Sequence, residues 1–231
     1  MSAVRAPSAV ATRPLWWGFA PYAVLSLVHV VALAVGSDDV AAPTKLTLMP
    51  ALALAVLWGG RGGAWGAPYT LLLLAIAFSW LGDGAGAFFP FAGDPLPLML
   101  LFFGLAHLCY ICLFWKHLAV RPLPGWAAVY AVWWLALLLV LWPSLGGLSI
   151  AVAVYGLVLG GTAALAARCH TLVVWGGAFF LASDTVLAFR IFPPDAMPGW
   201  TSPLVMLTYT LGPGLIAAGA IVTLRRRAVV V

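Results

Sequence analysis

The sequence predicts an all-α, polytopic membrane protein of about eight transmembrane helices, built as a single integral membrane domain over residues 1–231. Three observations carry this reading. Of 231 residues, 65% are apolar and only 7% charged, with a mean hydropathy of +1.10; a soluble surface needs several times more charge. The apolar residues fall into runs of membrane-spanning length separated by Pro, Gly and charged residues. The basic residues between those runs also collect on one side, as the positive-inside rule demands.

The spans follow from that punctuation. Helix 1 covers about 15–36; it is one apolar run among many, and so a span rather than a cleaved signal peptide. Helix 2, about 45–59, begins at Lys45, contains Pro50 and is short. If it is re-entrant, the count falls to seven. Helix 3, about 67–88, ends in 78-FSWLGDGAGAFF-89, and helix 4, about 96–116, contains 103-FGLAHLCY-110. Helices 5 and 6 cover about 124–142 and 146–166. Helix 7, about 171–191, contains 179-FFLASDTVLAFR-190, and helix 8 covers about 202–224.

Eight spans put both termini on one side, N-in and C-in, with a short cytoplasmic segment 1–14 and a cytoplasmic basic tail 225–231. Nine basic residues then lie inside: Arg5, Arg13, Arg61, Lys116, Arg121, Arg168 and Arg225 to Arg227. Lys45 and Arg190 lie outside with Asp38, Asp39, Asp94 and Asp195. The net charge of +5 is therefore a topology signal and not a nucleic-acid footprint, since the basic residues stand singly except at the C-terminus. Three cysteines make no disulfide framework, and Cys109 and Cys112 lie in an apolar helix without a second pair, where small packing residues are expected. The plasma or inner membrane is the expected location, and the lipid bilayer the first partner.

The chain has no glutamate, and its only two acids within the spans are Asp83 and Asp184. An acid inside a bilayer costs several kcal/mol unless paired or hydrated, so each is a candidate functional residue. The alternative for each is an interfacial position or a hydrogen bond to a neighbouring helix. On the eight-span topology both reach similar depth in the outer half of the membrane. Their surroundings also echo each other as F-x-x-x-x-D-x-x-x-A-F, a short match that hints at a duplicated four-helix unit. Two acids sharing one dry site would leave one protonated and one ionised at neutral pH, the division of labour that acid–base hydrolysis requires.

Other polar residues lie at comparable levels. Lys45 could hold a phosphate or carboxylate, or simply snorkel to the interface. His107 and Tyr110 share a helix face, and Ser79 shares the face of Asp83 one turn earlier. Ser183 directly precedes Asp184 and faces elsewhere in a regular helix. Tyr155 and Tyr209 are polar exceptions in helices 6 and 8. For each, packing is the competing role. No G-x-S-x-G, H-E-x-x-H or P-loop occurs. His117 and His170 fall in cytoplasmic loops far from the acids, so no convergent metal ligands and no cofactor are expected. Trp16, Trp17, Trp126 and Trp200 lie near span ends, as an interfacial belt does.

The ordered set Thr44-Lys45 before a Pro50-containing helix, 79-SWLGD-83, 103-FGLAHLCY-110, Tyr155, 177-GAFFLASD-184 and Tyr209 resembles the YhhN family of lysoplasmalogenase-like membrane proteins. The resemblance runs along nearly the whole chain. It implies about eight helices and cofactor-independent hydrolysis of the vinyl-ether bond of a lysoplasmalogen, yielding a fatty aldehyde and a glycerophospho-alcohol. It also implies that Asp83 and Asp184 form the catalytic pair and that a lysophospholipid is the substrate. Four positions depart from the family's usual pattern: Leu46 follows the lysine where proline is usual, Pro213 stands where a glutamine is common, and Gly84 and Gly86 replace bulk after the first acid. The rival reading is a transporter whose intramembrane acids carry protons or cations.

Overall fold

The computed structural model describes residues 15–61, 65–193, 195 and 197–230, and all regular structure among them is helical, without a strand. The segment 1–14, with Arg5 and Arg13, lies outside the described residues. The elements are α1 (Leu15–Ala34), α2 (Asp38–Gly59), α3 (Ala67–Asp83), the single turn α4 (Ala85–Phe88), α5 (Leu96–Leu113), α6 (Val129–Leu145), α7 (Ser149–Ala166), α8 (Thr171–Ile191) and α9 (Thr201–Val230). A π-turn, Phe114–Leu118, extends α5, and 3₁₀ turns at Gly125–Ala128 and Gly146–Leu148 lead into α6 and α7. In an apolar medium the helix is the local way to pair every backbone N–H and C=O within one segment, which is why these oily runs become helices.

Two boundaries differ from expectation in ways that matter. α2 begins at Asp38, with Asp38 and Asp39 in its first turn where the positive end of the helix dipole favours acids, and it continues through Pro43 and Pro50 to 22 residues. At a rise of about 1.5 Å per residue that is about 33 Å, enough to cross rather than re-enter. α3 ends at Asp83 instead of running to 88, and Gly84 breaks the helix. A Cβ on Gly84 would stand 2.2 Å from the Phe88 ring, so the space after the acid is filled by a folded-back phenylalanine.

Six stretches among the described residues are long and apolar enough to cross a membrane: Trp16–Ala34, Asp38–Gly59, Leu96–Leu118, Gly125–Ala166, Thr171–Ile191 and Thr201–Ala228. The chain is thus a multi-pass membrane protein. The count falls below eight because α3 is a shorter apolar helix and because α6 and α7 form one 42-residue apolar stretch. That stretch is bent at Gly146, whose φ of 52° is left-handed and suits glycine.

The strongest helix pairings are α8 with α9, α3 with α5 and α1 with α2. α9 is the central helix, with 67% of its apolar window buried against 17–39% for the other crossing stretches. Glycine makes the closest seam: a Cβ on Gly176 of α8 would meet the Gly212 carbonyl of α9 at 2.7 Å, and one on Gly219 would meet Val173 at 2.7 Å. Lipid supplies no hydrophobic drive between helices, so such small-residue contacts hold them by dispersion. α6 sits at the periphery and packs chiefly on α7.

Arginines tie one end of the bundle together. Arg225 donates to the Gly59 carbonyl (2.9 Å) at the end of α2, and Arg227 donates to the His117 and Ala119 carbonyls (2.5 and 3.0 Å) after α5. Arg121 donates to the Ala167 carbonyl (2.8 Å) at the end of α7. Cations capping unpaired C-terminal carbonyls complement the helix dipole. α2, α5, α7 and α9 therefore finish together at a basic end, and the acids of α3 and α8 lie toward the other. Cys169 is buried at this basic end, and burial pushes its thiol up to about 12.

Candidate active site

Lys45 sits inside α2 rather than at its start, because the helix begins earlier than expected. Pro50, four residues after Leu46, has no N–H to give the Leu46 carbonyl. The indole of Trp80 on α3 donates to that carbonyl instead (2.9 Å). This bond ties α2 to α3 next to the Lys45–Asp83 pair. Lys45 Nζ lies 4.0 Å from Asp83 Oδ1, with the lysine side chain 40% exposed and the aspartate side chain 5% exposed.

Each acid is held by a tyrosine. The Tyr209 hydroxyl on α9 donates to Asp83 Oδ2 at 2.6 Å. The Tyr155 hydroxyl on α7 donates to Asp184 Oδ2. An aromatic chain connects the two pairs: Tyr209 packs edge-on to Phe180 (5.6 Å between ring centres), Phe180 to His107 (4.7 Å), and His107 to Tyr155 (5.7 Å). Phe103 completes the cluster against Tyr209 and Phe180, at 6.0 and 6.5 Å. It presses so closely on α3 that a Cβ on Gly82, beside Asp83, would stand 2.7 Å from its ring. The two acids are thus built into one cluster, each on a different helix.

His107 is fully buried, with Nδ1 3.2 Å from Thr162 Oγ1. The Thr162 hydroxyl donates its proton to the Val158 carbonyl (2.9 Å), so it accepts from His107. In that tautomer the ring proton sits on Nδ1, and Nε2, buried and without a hydrogen-bond partner among the described residues, is the bare acceptor. The same logic applies to His29 of α1: Nδ1 lies 2.9 Å from Thr44 Oγ1, whose proton goes to the Val40 carbonyl at 2.6 Å. His29 Nε2 is likewise buried and unpartnered, as are Ser79 Oγ and the Tyr110 hydroxyl. An unpaired buried polar group costs about 1–3 kcal/mol, so four in one chain call for a functional account.

Lys45, Asp83, Tyr209, His107, Tyr110, Tyr155 and Asp184 therefore join one connected set, with the Tyr110 ring 6.3 Å from both His107, to which it is tilted, and Phe180, which it meets edge-on. Ser79 is fully buried one turn before Asp83. Ser183 donates to the Val205 carbonyl (3.0 Å), so its hydroxyl is taken up in the α8–α9 contact. Sequence reasoning missed His29, Thr162 and Trp80. A lone histidine in the apolar run of helix 1 was the available signal for the first; the other two emerge only from contacts between helices.

Asp184 and Tyr155 line a small cavity of about 50 Å³ between α5, α7 and α8, otherwise walled by apolar side chains such as Met99, Phe103 and Leu187. The chain matches the YhhN family over residues 40–220, more than three quarters of its length. It belongs to the YhhN family. Among curated proteins and among solved structures there is no match. The matched region of this YhhN protein starts just before the Thr44-Lys45 pair and includes every residue of the connected set, while His29 of α1 lies before it. Family membership is consistent with a lysoplasmalogenase-like membrane protein.

Proposed function

We propose that this YhhN protein is a membrane-embedded hydrolase that cleaves the vinyl-ether bond of a lysoplasmalogen, or of a closely related lysolipid, using Asp83 and Asp184. The observation that carries the reading is the pair itself: two carboxyl groups, each fixed by a tyrosine, joined through one aromatic cluster, with one of them lining an apolar cavity.

The two acids differ in their surroundings, and the difference assigns their roles. Lys45 can compensate a negative charge on Asp83. At 4.0 Å and an effective dielectric of about 20, such a pair is worth up to about 4 kcal/mol before the lysine's exposure is discounted. The α3 C-terminus opposes that charge by only about 0.3–1 kcal/mol, so the cation wins. No cation pairs with Asp184 among the described residues. Asp184 is therefore the proton donor and Asp83 the carboxylate.

In the reaction, Asp184 gives its proton to the alkenyl carbon remote from oxygen. The double-bond electrons form that C–H bond and leave an oxocarbenium ion at the carbon bearing oxygen. The Asp83 carboxylate stabilises this cation. Water adds to it, held by an acceptor such as His107 Nε2, and its proton returns to the ionised acid. The hemiacetal then collapses: its C–O bond to the glycerol oxygen breaks, that oxygen takes a proton from Asp184, and the hemiacetal hydroxyl gives its proton back to the resulting carboxylate, leaving an aldehyde and a glycerophospho-alcohol. Lys45, partly exposed, is placed to attract the lipid phosphate. No step uses a cofactor.

With its eight long helices as crossings and the arginine end in the cytoplasm, the protein carries both acids in the outer half of a plasma or inner membrane. The test is purified protein in micelles, without any gradient, offered choline and ethanolamine lysoplasmalogens. Aldehyde release is expected, and Asp83→Asn and Asp184→Asn should each lower kcat/KM by about 10²-fold or more. Intact substrate with wild-type protein would sink the reading, and gradient-dependent flux through vesicles would favour a transporter.

A further inference from the structure

The cavity at Asp184 borders a larger groove of about 380 Å³ between α5 and α7, the two sharing Leu100 and Tyr155 as lining. Apart from the Tyr155 hydroxyl, which is engaged by Asp184, the groove is lined by apolar groups, among them Leu101, Gly104 and Leu108 of α5 and Ile150, Val154 and Val158 of α7. Leu101, Leu108, Ile150 and Val154 are exposed, so the groove opens sideways, toward where lipid would lie. At Gly104 nothing lies within 4 Å of where a Cβ would stand, which leaves bare backbone in the groove wall. From Pro97 to Leu108 the α5 wall is roughly 16 Å long at the helical rise.

We propose that the α5–α7 groove seats the single hydrocarbon chain of a lysolipid, passing Tyr155 so that the chain's first carbons lie at Asp184, and that Gly104 sets the length of chain accepted. Three features select this occupant. The lining offers no partner to a polar ligand, and the volume is at the lower end of ligand pockets and suits one chain rather than two. The groove also borders the cavity lined by Asp184, with Leu100 and Tyr155 lining both, which an ordinary bilayer-facing depression would not do. The chemistry rests on the hydrolase reading above, whereas the seat itself can be tested apart from turnover.

The experiment uses full-length protein in micelles and a lysophosphocholine carrying a diazirine in mid-chain. After illumination, label is expected on residues 97–108 and 150–158, displaced by excess unlabelled long-chain lysolipid and weakened in Gly104→Leu. Leucine fits the open space without displacing a neighbour. Ala151→Leu, across the groove, serves should the first variant fold poorly. In turnover, Gly104→Leu should lower the long-chain over short-chain ratio of kcat/KM by about tenfold, the scale of one methylene of misfit in an apolar pocket. Label spread equally over α1 and α6, label not displaced by competitor, or an unchanged chain-length ratio would each overturn the groove. If wild-type protein releases no aldehyde yet labels the groove competitively, the hydrolase reading fails and the chain seat stands.

Discussion

At the scale of single residues, hydroxyls and ring nitrogens set what the acids can do. Tyr155→Phe and Tyr209→Phe each delete one hydrogen bond to a carboxyl group while keeping the ring. A bond to the ionised Asp83 is worth about 1.5–3 kcal/mol, so Tyr209→Phe should lower kcat by about 10- to 100-fold, whereas Tyr155→Phe, losing a bond of about 0.5–1.5 kcal/mol to a neutral acid, should lower it by about 2- to 10-fold. Lys45→Met should raise KM for a phosphate-bearing lysolipid about tenfold, by loss of the proposed phosphate contact, and also lower kcat, by loss of the cation that keeps Asp83 ionised. Steady-state assays with and without the phosphate headgroup separate the two effects. The acids themselves were legible in the sequence, since a carboxyl group in an apolar run has few explanations. Their partners were not: Tyr209 lies 126 residues from Asp83, and no local spacing connects them. His29 and the tautomer of His107 were equally hidden, because both depend on which carbonyl takes a threonine proton.

At the scale of the element, hydropathy located every helix, and α8 was placed to the residue. It erred where local chemistry overrode punctuation. Pro43 and Lys45 looked like a boundary, yet α2 passes through both. Gly84, which replaces bulk after the first acid, is a helix end with Phe88 folded onto it. The expected duplication finds no parallel in the partners either, since Asp83 is held from the last helix and Asp184 from the preceding one. The glycine seam yields a stability prediction. Gly176→Ala drives a methyl against the Gly212 carbonyl and Ile216, an overpacking that costs about 1–3 kcal/mol. Its midpoint in a thermal melt in detergent should fall by several degrees. Gly199→Ala, where nothing lies within 4 Å, should leave it unchanged.

For the whole molecule, the decisive pattern is polarity from end to end. Arg121, Arg225 and Arg227 gather where α2, α5, α7 and α9 finish, and Lys45 and both acids lie toward the opposite end. The sequence contained this bias as a count of charges, and the structure turns it into a set of caps on helix carbonyls. The proposed orientation predicts that single cysteines at Arg121 and Arg226 of a cysteine-free variant are labelled only from the cytoplasmic side of intact cells. A cysteine at Asp94 should be labelled from outside. Asp94 reacting from inside and Arg121 from outside would reverse the topology and put the acids in the wrong leaflet.

The missing N–H of Pro50 carries a last consequence. Replacing a mid-helix proline by alanine is ordinarily a repair: the backbone regains a hydrogen bond and the helix straightens. Here the repair would reclaim the Leu46 carbonyl from Trp80 and release α2 from α3 beside Lys45 and Asp83. Pro50→Ala should therefore make α2 a sounder helix and the protein a poorer catalyst, moving local helix order and turnover in opposite directions. In this fold a defect in one helix serves as the fastener of two, and a routine stabilising substitution would undo it.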